Sequence, residues 1–87
     1  MDLLMMTKVV FRKCRDGSIL AMFPDVHESG YTVQCYQHAG QHSSADYSYC
    51  IGQTKPATPS EYNDLYNELV MIGYSNLKVL QKAKVRF

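Results

Sequence analysis

The dipeptide Asp16-Gly17 stands between two runs of alternating residues, and it constrains the fold of this chain more than any other feature. The first run, from Thr7 to Arg15, is rich in β-branched and aromatic residues, as strands are. Asp-Gly between two such runs predicts a hairpin with a type I′ turn, because both central residues of that turn need positive φ. The second strand should run from Ser18 to Phe23 and end at Pro24, since proline cannot donate to a ladder.

A helix start is the next clear signal, at Thr58-Pro59-Ser60-Glu61. Thr58 can accept a hydrogen bond from the Glu61 amide, and the Glu61 side chain can reach back to close a capping box. Pro59 falls at the first helical position, where its missing backbone N–H costs nothing because that N–H has no partner within the helix. Gly73 is placed to end the helix in a left-handed conformation. Between these signals one apolar stripe recurs at helical spacing, formed by Tyr62, Leu65, Leu69 and Ile72.

The remaining elements are a third strand over 31–37 and a last strand over 76–84, separated by a less regular segment. In that segment, residues 46–51 could form a short helix capped by Ser44. The predicted order is β-β-β-short helix-α-β. This order predicts an α+β fold, with a small antiparallel or mixed sheet and one amphipathic helix packed on one face. A chain of 87 residues is expected to form a single domain, 1–87, in which residues 1–6 are a leader.

Alternation divides the strand residues between two faces of the sheet. The face toward the helix is expected to carry Val9, Phe11, Ile19, Ala21, Phe23, Tyr31, Val33, Cys35, Leu77 and Val79. The outer face carries Val10, Leu20, Met22, Tyr36 and Leu80. This outer face is more apolar than a solvated sheet face normally is, and we expect it to be an interaction surface. It would be covered by a second copy of the chain, by another protein, or in a monomer by the leader.

The net charge of +1 conceals a segregation of charge, because both ends of the chain are basic and its middle is acidic. If the first and last strands are neighbours, Lys8, Arg12, Lys78 and Lys82 form a stripe that could follow a phosphate backbone. Tyr47 and Tyr49 could then stack on bases. The isoelectric point of 7.7 argues against this alternative, since nucleic-acid-binding domains usually exceed 9. Basic residues on exposed strands can also simply keep sheet edges unpaired.

Four residues with ligand chemistry recur every four positions: His38, His42, Asp46 and Cys50. On one continuous helix they would share a face and could bind zinc, but Gly40, Ser43 and Ser44 disfavour such a helix. We therefore predict a polar loop without metal or cofactor, and keep the metal site as an alternative. The same segment could supply a nucleophile, Cys50 or Ser43, and a base, His38 or His42. No sequence motif of a hydrolase or a thiol enzyme accompanies them, so we expect no catalytic residue and no enzyme.

Three cysteines cannot all pair within one chain, and no secretory signal precedes them. We expect them to be reduced thiols of a cytoplasmic protein. No apolar run approaches the roughly 18 residues of a membrane helix, so no membrane partner is expected.

Over residues 8–84 the chain resembles small uncharacterised proteins encoded on phages and plasmids of gut bacteria. The likeness lies in KVVFRK, DGSILAMFP and CYQHAGQHSSADYSYCIGQTKPATPSEYNDLYNELVMIGY. It implies an accessory protein of a mobile element and assigns a role to no residue. With the apolar outer face, it favours a non-enzymatic protein-interaction module that self-associates, and nucleic-acid binding is the first alternative.

Overall fold

The structure is a computed structural model, and it describes residues 7–27, 30, 32–37 and 41–81. Within them one sheet contains β1 (Thr7–Lys13), β2 (Ile19–His27), β3 (Thr32–Gln37), β4 (Gln41–Asp46), β5 (Lys55–Pro56) and β6 (Leu77–Leu80). Two helices are present, α1 (Tyr47–Gln53) and α2 (Pro59–Met71). The predicted α+β class is confirmed. Neither helix has the length and apolarity that crossing a membrane requires.

Two short strands share one side of β1, at the opposite end of the sheet from β4. The strands β4, β3, β2 and β1 follow one another by antiparallel pairing. Along the free side of β1, β6 runs parallel to its first half and β5 antiparallel to its end. Lys8 lies opposite Lys78 and Lys13 opposite Lys55. The first and last strands are therefore neighbours, as the predicted basic stripe requires.

The hairpin forms at Asp16-Gly17, but its turn differs from the predicted type I′. Within the turn only Gly17 has a positive φ, of 90°. The Gly17 amide donates to the Cys14 carbonyl at 2.9 Å, and the Cys14 amide donates to the Ser18 carbonyl at 2.8 Å. This is a type I turn followed by a glycine bulge, a common three-residue hairpin loop. Asp16 holds it by accepting from the Ser18 amide and hydroxyl.

The second strand does not end at Pro24. β2 continues to His27, and its register with β3 shifts between Phe23 and His27, an irregularity at which proline is tolerated. Pairing of Ala21 with Tyr36 directs Tyr36 toward α2. Val33 and Cys35 lie on the opposite face, so their predicted face was wrong and so was that of Tyr36. The faces predicted for β1, β2 and β6 agree with the structure, and Tyr31 lies outside the described residues.

The segment predicted as irregular contains a regular strand. All six residues of β4 pair with β3 without a break in register. The short helix that follows begins at Tyr47, and its cap is Asp46 rather than Ser44, with Asp46 Oδ1 accepting from the Tyr49 amide at 3.0 Å. Backbone pairing with β3 stabilises this strand, so the low strand propensity of its serines does not prevent it.

Both faces of the sheet are covered, each by one helix. On the α2 side, Tyr62 stacks on Phe11 with ring centroids 4.4 Å apart, and Tyr74 stacks on Phe23 at 5.0 Å. The buried residues there are Val9, Phe11, Ala21, Phe23, Tyr36, Leu65 and Leu69. On the α1 side the buried cluster is Leu20, Met22, Val33, Cys35 and Tyr47. The small sheet therefore separates two apolar layers, each covered by a helix of the same chain, whereas the sequence predicted a helix on one face only.

The predicted boundaries of α2 are confirmed. Thr58 and Glu61 form the capping box, in which the Thr58 amide donates to Glu61 Oε1 at 2.9 Å. At the other end the Gly73 amide donates to the Val70 carbonyl at 3.2 Å, and the Tyr74 amide donates to the Leu69 carbonyl at 3.0 Å. These two bonds define a Schellman motif, for which Gly73 adopts a φ of 119°.

Candidate functional site

The outer face predicted as an interaction surface is not accessible. Val10 and Met22 are 0% exposed and Leu20 is 7% exposed, while Leu80 is half-buried. Tyr36 lies on the other face, where its hydroxyl donates to a Glu68 carboxylate oxygen. The prediction of an exposed apolar outer face was wrong because α1 packs on that side of the sheet. A partner on this face would have to displace the helix first.

The metal-ligand candidates are not brought together among the described residues, where no group of three or more His, Cys, Asp or Glu could hold an ion. His38 and the His42 side chain lie outside that part of the chain. Asp46 caps α1, and Cys50 is half-buried against the cluster around Tyr47. Burial raises the pKa of the Cys50 thiol, and Cys35, Asp46 and Cys14 raise it further. Cys50 therefore stays protonated at neutral pH, which suits neither a nucleophile nor a thiolate ligand.

The two tyrosines proposed to stack on bases have different environments. Tyr47 is 5% exposed and belongs to the buried cluster under α1, so its predicted exposure was wrong. Tyr49 is 66% exposed on the same helix. Only Tyr49 of this pair presents its ring to solvent.

Arg12, predicted to contact phosphate, is instead buried at 5% exposure. Its guanidinium donates to the Thr54 hydroxyl at 2.9 Å, to the Thr54 carbonyl at 2.7 Å and to the Ile51 carbonyl at 3.1 Å. A further bond reaches the Gln81 carbonyl at 3.3 Å. Arg12 therefore binds the carboxyl end of α1, where a cation stabilises the helix dipole, and it ties that end to the residue after β6.

The lysines and arginines of the described residues all lie on one edge of the sheet. The chain contains nine such residues, of which Lys82, Lys84 and Arg86 lie outside the described part. The other six belong to β1, to the turn after it, or to the short strands β5 and β6 that pair with β1. We call the five exposed or half-buried members of this set the basic edge: Lys8, Lys13, Arg15, Lys55 and Lys78.

A groove opens at the hairpin end of the basic edge. It has a volume of about 440 Å³ and lies between the end of β1 and the segment that links α1 to β5. Three cations line it, Lys13, Arg15 and Lys55, together with Cys14 and residues 52–54. Arg12 shapes it indirectly, because its bonds to Thr54 fix the residue that precedes Lys55. We call this the basic groove.

The charges of the basic groove are only partly compensated. Lys13 Nζ lies 2.7 Å from Glu61 Oε2, and this hydrogen bond is the first cause that lowers the pKa of Glu61 to about 2. Glu61 is therefore ionised at neutral pH and neutralises Lys13. Among the described residues, neither Arg15 nor Lys55 has a carboxylate partner within 4.0 Å. Lys55 lies opposite Lys13, and because Glu61 already neutralises Lys13, the uncompensated charge of the groove among the described residues is that of Arg15 and Lys55.

The other end of the basic edge holds Lys8 and Lys78, opposite each other in the parallel pair β1–β6. Lys8 Nζ lies 3.6 Å from Asp25 Oδ2, and both side chains are well exposed. An exposed pair of this kind is worth little and can exchange its partner for another anion. Both ends of the edge can therefore offer positive charge to a ligand.

An acidic cleft lies on the opposite side of the hairpin turn. It measures about 580 Å³ and is lined by three carboxylates, Asp16, Glu61 and Asp64, with Ser18, Ile19, Gln37 and Leu65. Hydrogen bonds from Ser18 lower the pKa of the Asp16 carboxylate, so it is ionised. The turn therefore separates a basic groove from an acidic one, and an anion is attracted to one side only.

Sequence reasoning identified two exposed members of the basic edge, Lys8 and Lys78, and missed the groove. The groove was missed because its third cation, Lys55, lies on β5, a strand of two residues that is too short to show an alternating pattern. The available signal was the run Arg12-Lys13-Cys14-Arg15 before the turn. No protein-family model matches the chain, and no curated protein or solved structure matches it either.

Proposed function

We propose that this protein is a non-catalytic binding module that holds the phosphate backbone of a nucleic acid along its basic edge. The observation that carries the proposal is that the five lysines and arginines of the described residues that are not buried all lie on β1 or on the elements joined to it. The predicted alternative of a basic stripe is thereby preferred over the predicted outer-face interaction, whose apolar residues are buried. The basic groove supplies the main contact, and Lys8 and Lys78 extend it.

The length of the basic edge fits a short stretch of backbone. Lys8 and Lys13 are five residues apart on one strand, about 17 Å at 3.3–3.4 Å per residue, and alternation places their side chains on opposite faces of β1. A backbone that contacts both lysines would therefore pass across the edge formed by β5 and β6. One strand of a duplex places a phosphate about every 3.4 Å along its axis, so the edge spans about five phosphates. Such contacts read charge and spacing rather than base sequence.

The side chains of the groove support binding rather than chemistry. Its described lining contains one thiol, Cys14, and neither a histidine nor a carboxylate that could activate it. Because neither Arg15 nor Lys55 is paired with a carboxylate in the described part of the chain, both can bind phosphate oxygens directly. The three free thiols and the resemblance to phage- and plasmid-encoded proteins support a cytoplasmic accessory factor of a mobile element.

The proposal is tested by titrating labelled single-stranded and double-stranded DNA at several salt concentrations. We expect micromolar binding at about 50 mM salt, and a slope of log K against log salt near −2 for single strands if three cations make contact. The double variant Arg15→Gln with Lys55→Gln should lower the affinity at least tenfold and reduce the magnitude of the slope by about 1.4. Both residues are exposed, so the fold should persist.

A matched control separates the groove from net charge. Ser48→Asp with Asn67→Asp changes the net charge by the same two units at exposed positions on α1 and α2. Affinity close to that of the unmodified protein is expected for this control. Equal weakening by both double variants, or no binding of either nucleic acid at about 50 mM salt, would contradict the proposal. Inorganic polyphosphate serves as a third ligand, and preference for it over both DNA forms would identify a different phosphate polymer as the ligand.

A further inference from the structure

The two edges of the sheet differ in how they are protected against pairing with another strand. On the basic edge the outermost strands are the two-residue β5, which contains Pro56, and the four-residue β6, which carries Lys78. Short strands, proline and lysine are the devices by which proteins keep an edge unpaired. The opposite edge, β4, has six residues without lysine, arginine or proline.

The backbone of β4 is regular, and none of the described strands pairs with its outer side. Its six residues pair with β3 in continuous register, so no bulge twists the edge away. On its outer side no strand follows among the described residues. The helix α1 starts directly after β4 but extends inward over the sheet, where its last carbonyls meet Arg12 on β1. The helix α2 packs against β1, β2 and Tyr36, so neither helix covers this edge.

We propose that β4 pairs antiparallel with β4 of a second copy of this chain, which joins two sheets into one across a twofold axis. An axis perpendicular to the sheet keeps each face continuous and centres the pair on Ser43 or Ser44. These serines are small and exposed, so two strands can approach closely. Asp46 is the only acidic residue of the strand, and in either register it meets no acidic residue of the second copy. No like charges therefore oppose the pairing of two copies along this strand.

This pairing would give a homodimer by a route different from the buried outer face. Because β4 and the basic edge lie at opposite ends of the sheet, the two basic edges would stand about 40 Å apart. A six-residue strand pair is a small interface, so the dimer belongs to the weak, concentration-dependent class. The inference does not rest on phosphate binding, and either can fail without the other.

Sedimentation equilibrium from about 10 µM to about 1 mM tests the proposal. The mean mass should rise from 9.9 kDa toward twice that value. Ser44→Lys should abolish the rise, because it places two like charges close to the axis. Its matched control, Ser48→Lys, adds the same charge to an exposed position on α1 and should dimerise normally.

A second variant tests whether the dimer forms instead through the apolar end of α2, where Met71 is 86% exposed between Val70 and Ile72. Met71→Ser should leave dimerisation unchanged, and its loss in this variant would overturn pairing through β4. Amide hydrogen exchange gives an independent readout, since β4 amides should become more protected as concentration rises while those of α2 do not. A protein that remains at 9.9 kDa at about 1 mM, or a Ser44→Lys variant that still dimerises, would also overturn the proposal.

Discussion

At the residue scale, consecutive cations of β1 have separate roles that their sequence does not distinguish. Arg12 and Lys13 are neighbours, yet Arg12 is buried among carbonyl groups and Lys13 reaches Glu61 at the surface. Alternation places their side chains on opposite faces of β1, which is the part the sequence could predict. It could not predict that α1 would cover the Arg12 face, because the helix C-terminus that accepts from Arg12 lies about forty residues away in the chain.

Glu61 provides a pH-dependent test of the Lys13 contact. Its pKa is lowered from 4.5 to about 2, first by the hydrogen bond from Lys13. A carboxylate with a lowered folded-state pKa contributes stability that is present above pH 4.5 and is lost as the pH falls toward 2. Glu61→Gln can keep the capping box but lacks the charge. We expect this variant to be less stable than the unmodified protein to urea at neutral pH, and equally stable near pH 2.

The same variant releases Lys13 from its carboxylate partner, so its affinity for DNA should rise two- to fivefold. A stability difference that persists unchanged near pH 2 would show that the Lys13 contact is not the cause.

At the element scale, the ends of α2 and the faces of β1, β2 and β6 were predicted correctly, whereas the turn type at Asp16-Gly17, the end of β2 and the faces of β3 were not. Thr58 and Gly73 mark the ends of α2 because unpaired amides and carbonyls need partners at fixed positions. Alternation failed for β3 because helices cover both faces of the sheet, so Val33 and Tyr36 are both buried. Alternation did not reveal β4 because an exposed edge strand is held by backbone pairing and buries few apolar side chains, so its sequence shows no apolar period.

Two glycines provide a matched test of this backbone argument. Gly73 has a φ of 119°, which an L-residue adopts only under strain, and a Cβ there meets no atom within 4 Å. Gly52 lies near the end of α1 without a positive φ and with equal space. Gly73→Ala should destabilise the fold by about 1 kcal/mol and Gly52→Ala should stabilise it by about 0.5 kcal/mol. Thermal unfolding should show midpoint shifts of about 5 °C downward and about 3 °C upward.

A methyl group fits at both positions, so a difference in steric contact cannot explain a difference in stability. If Gly73→Ala destabilises the fold and Gly52→Ala stabilises it, backbone conformation is the cause. Equal destabilisation by both substitutions would contradict the left-handed conformation assigned to Gly73.

At the scale of the whole molecule, the sheet has two edges that differ in charge and in protection. The cations gather at the edge formed by β1, β5 and β6, while the polar strand β4 closes the other side. The sequence showed that both ends of the chain are basic, but only the pairing of β1 with β6 brings those ends together. Parallel pairing between strands so distant in the chain is decided by tertiary packing, which local patterns do not encode.

The central claim is that the basic edge is the surface that binds phosphate backbone. Its most direct test is to follow the backbone amide resonances of the protein as a short single-stranded DNA is added at low salt. We predict that the largest shifts will fall on residues 8–15, 52–55 and 77–79, and that they will reverse when salt is raised. Shifts that cluster instead on the exposed face of α2, or that are indifferent to salt, would contradict the account.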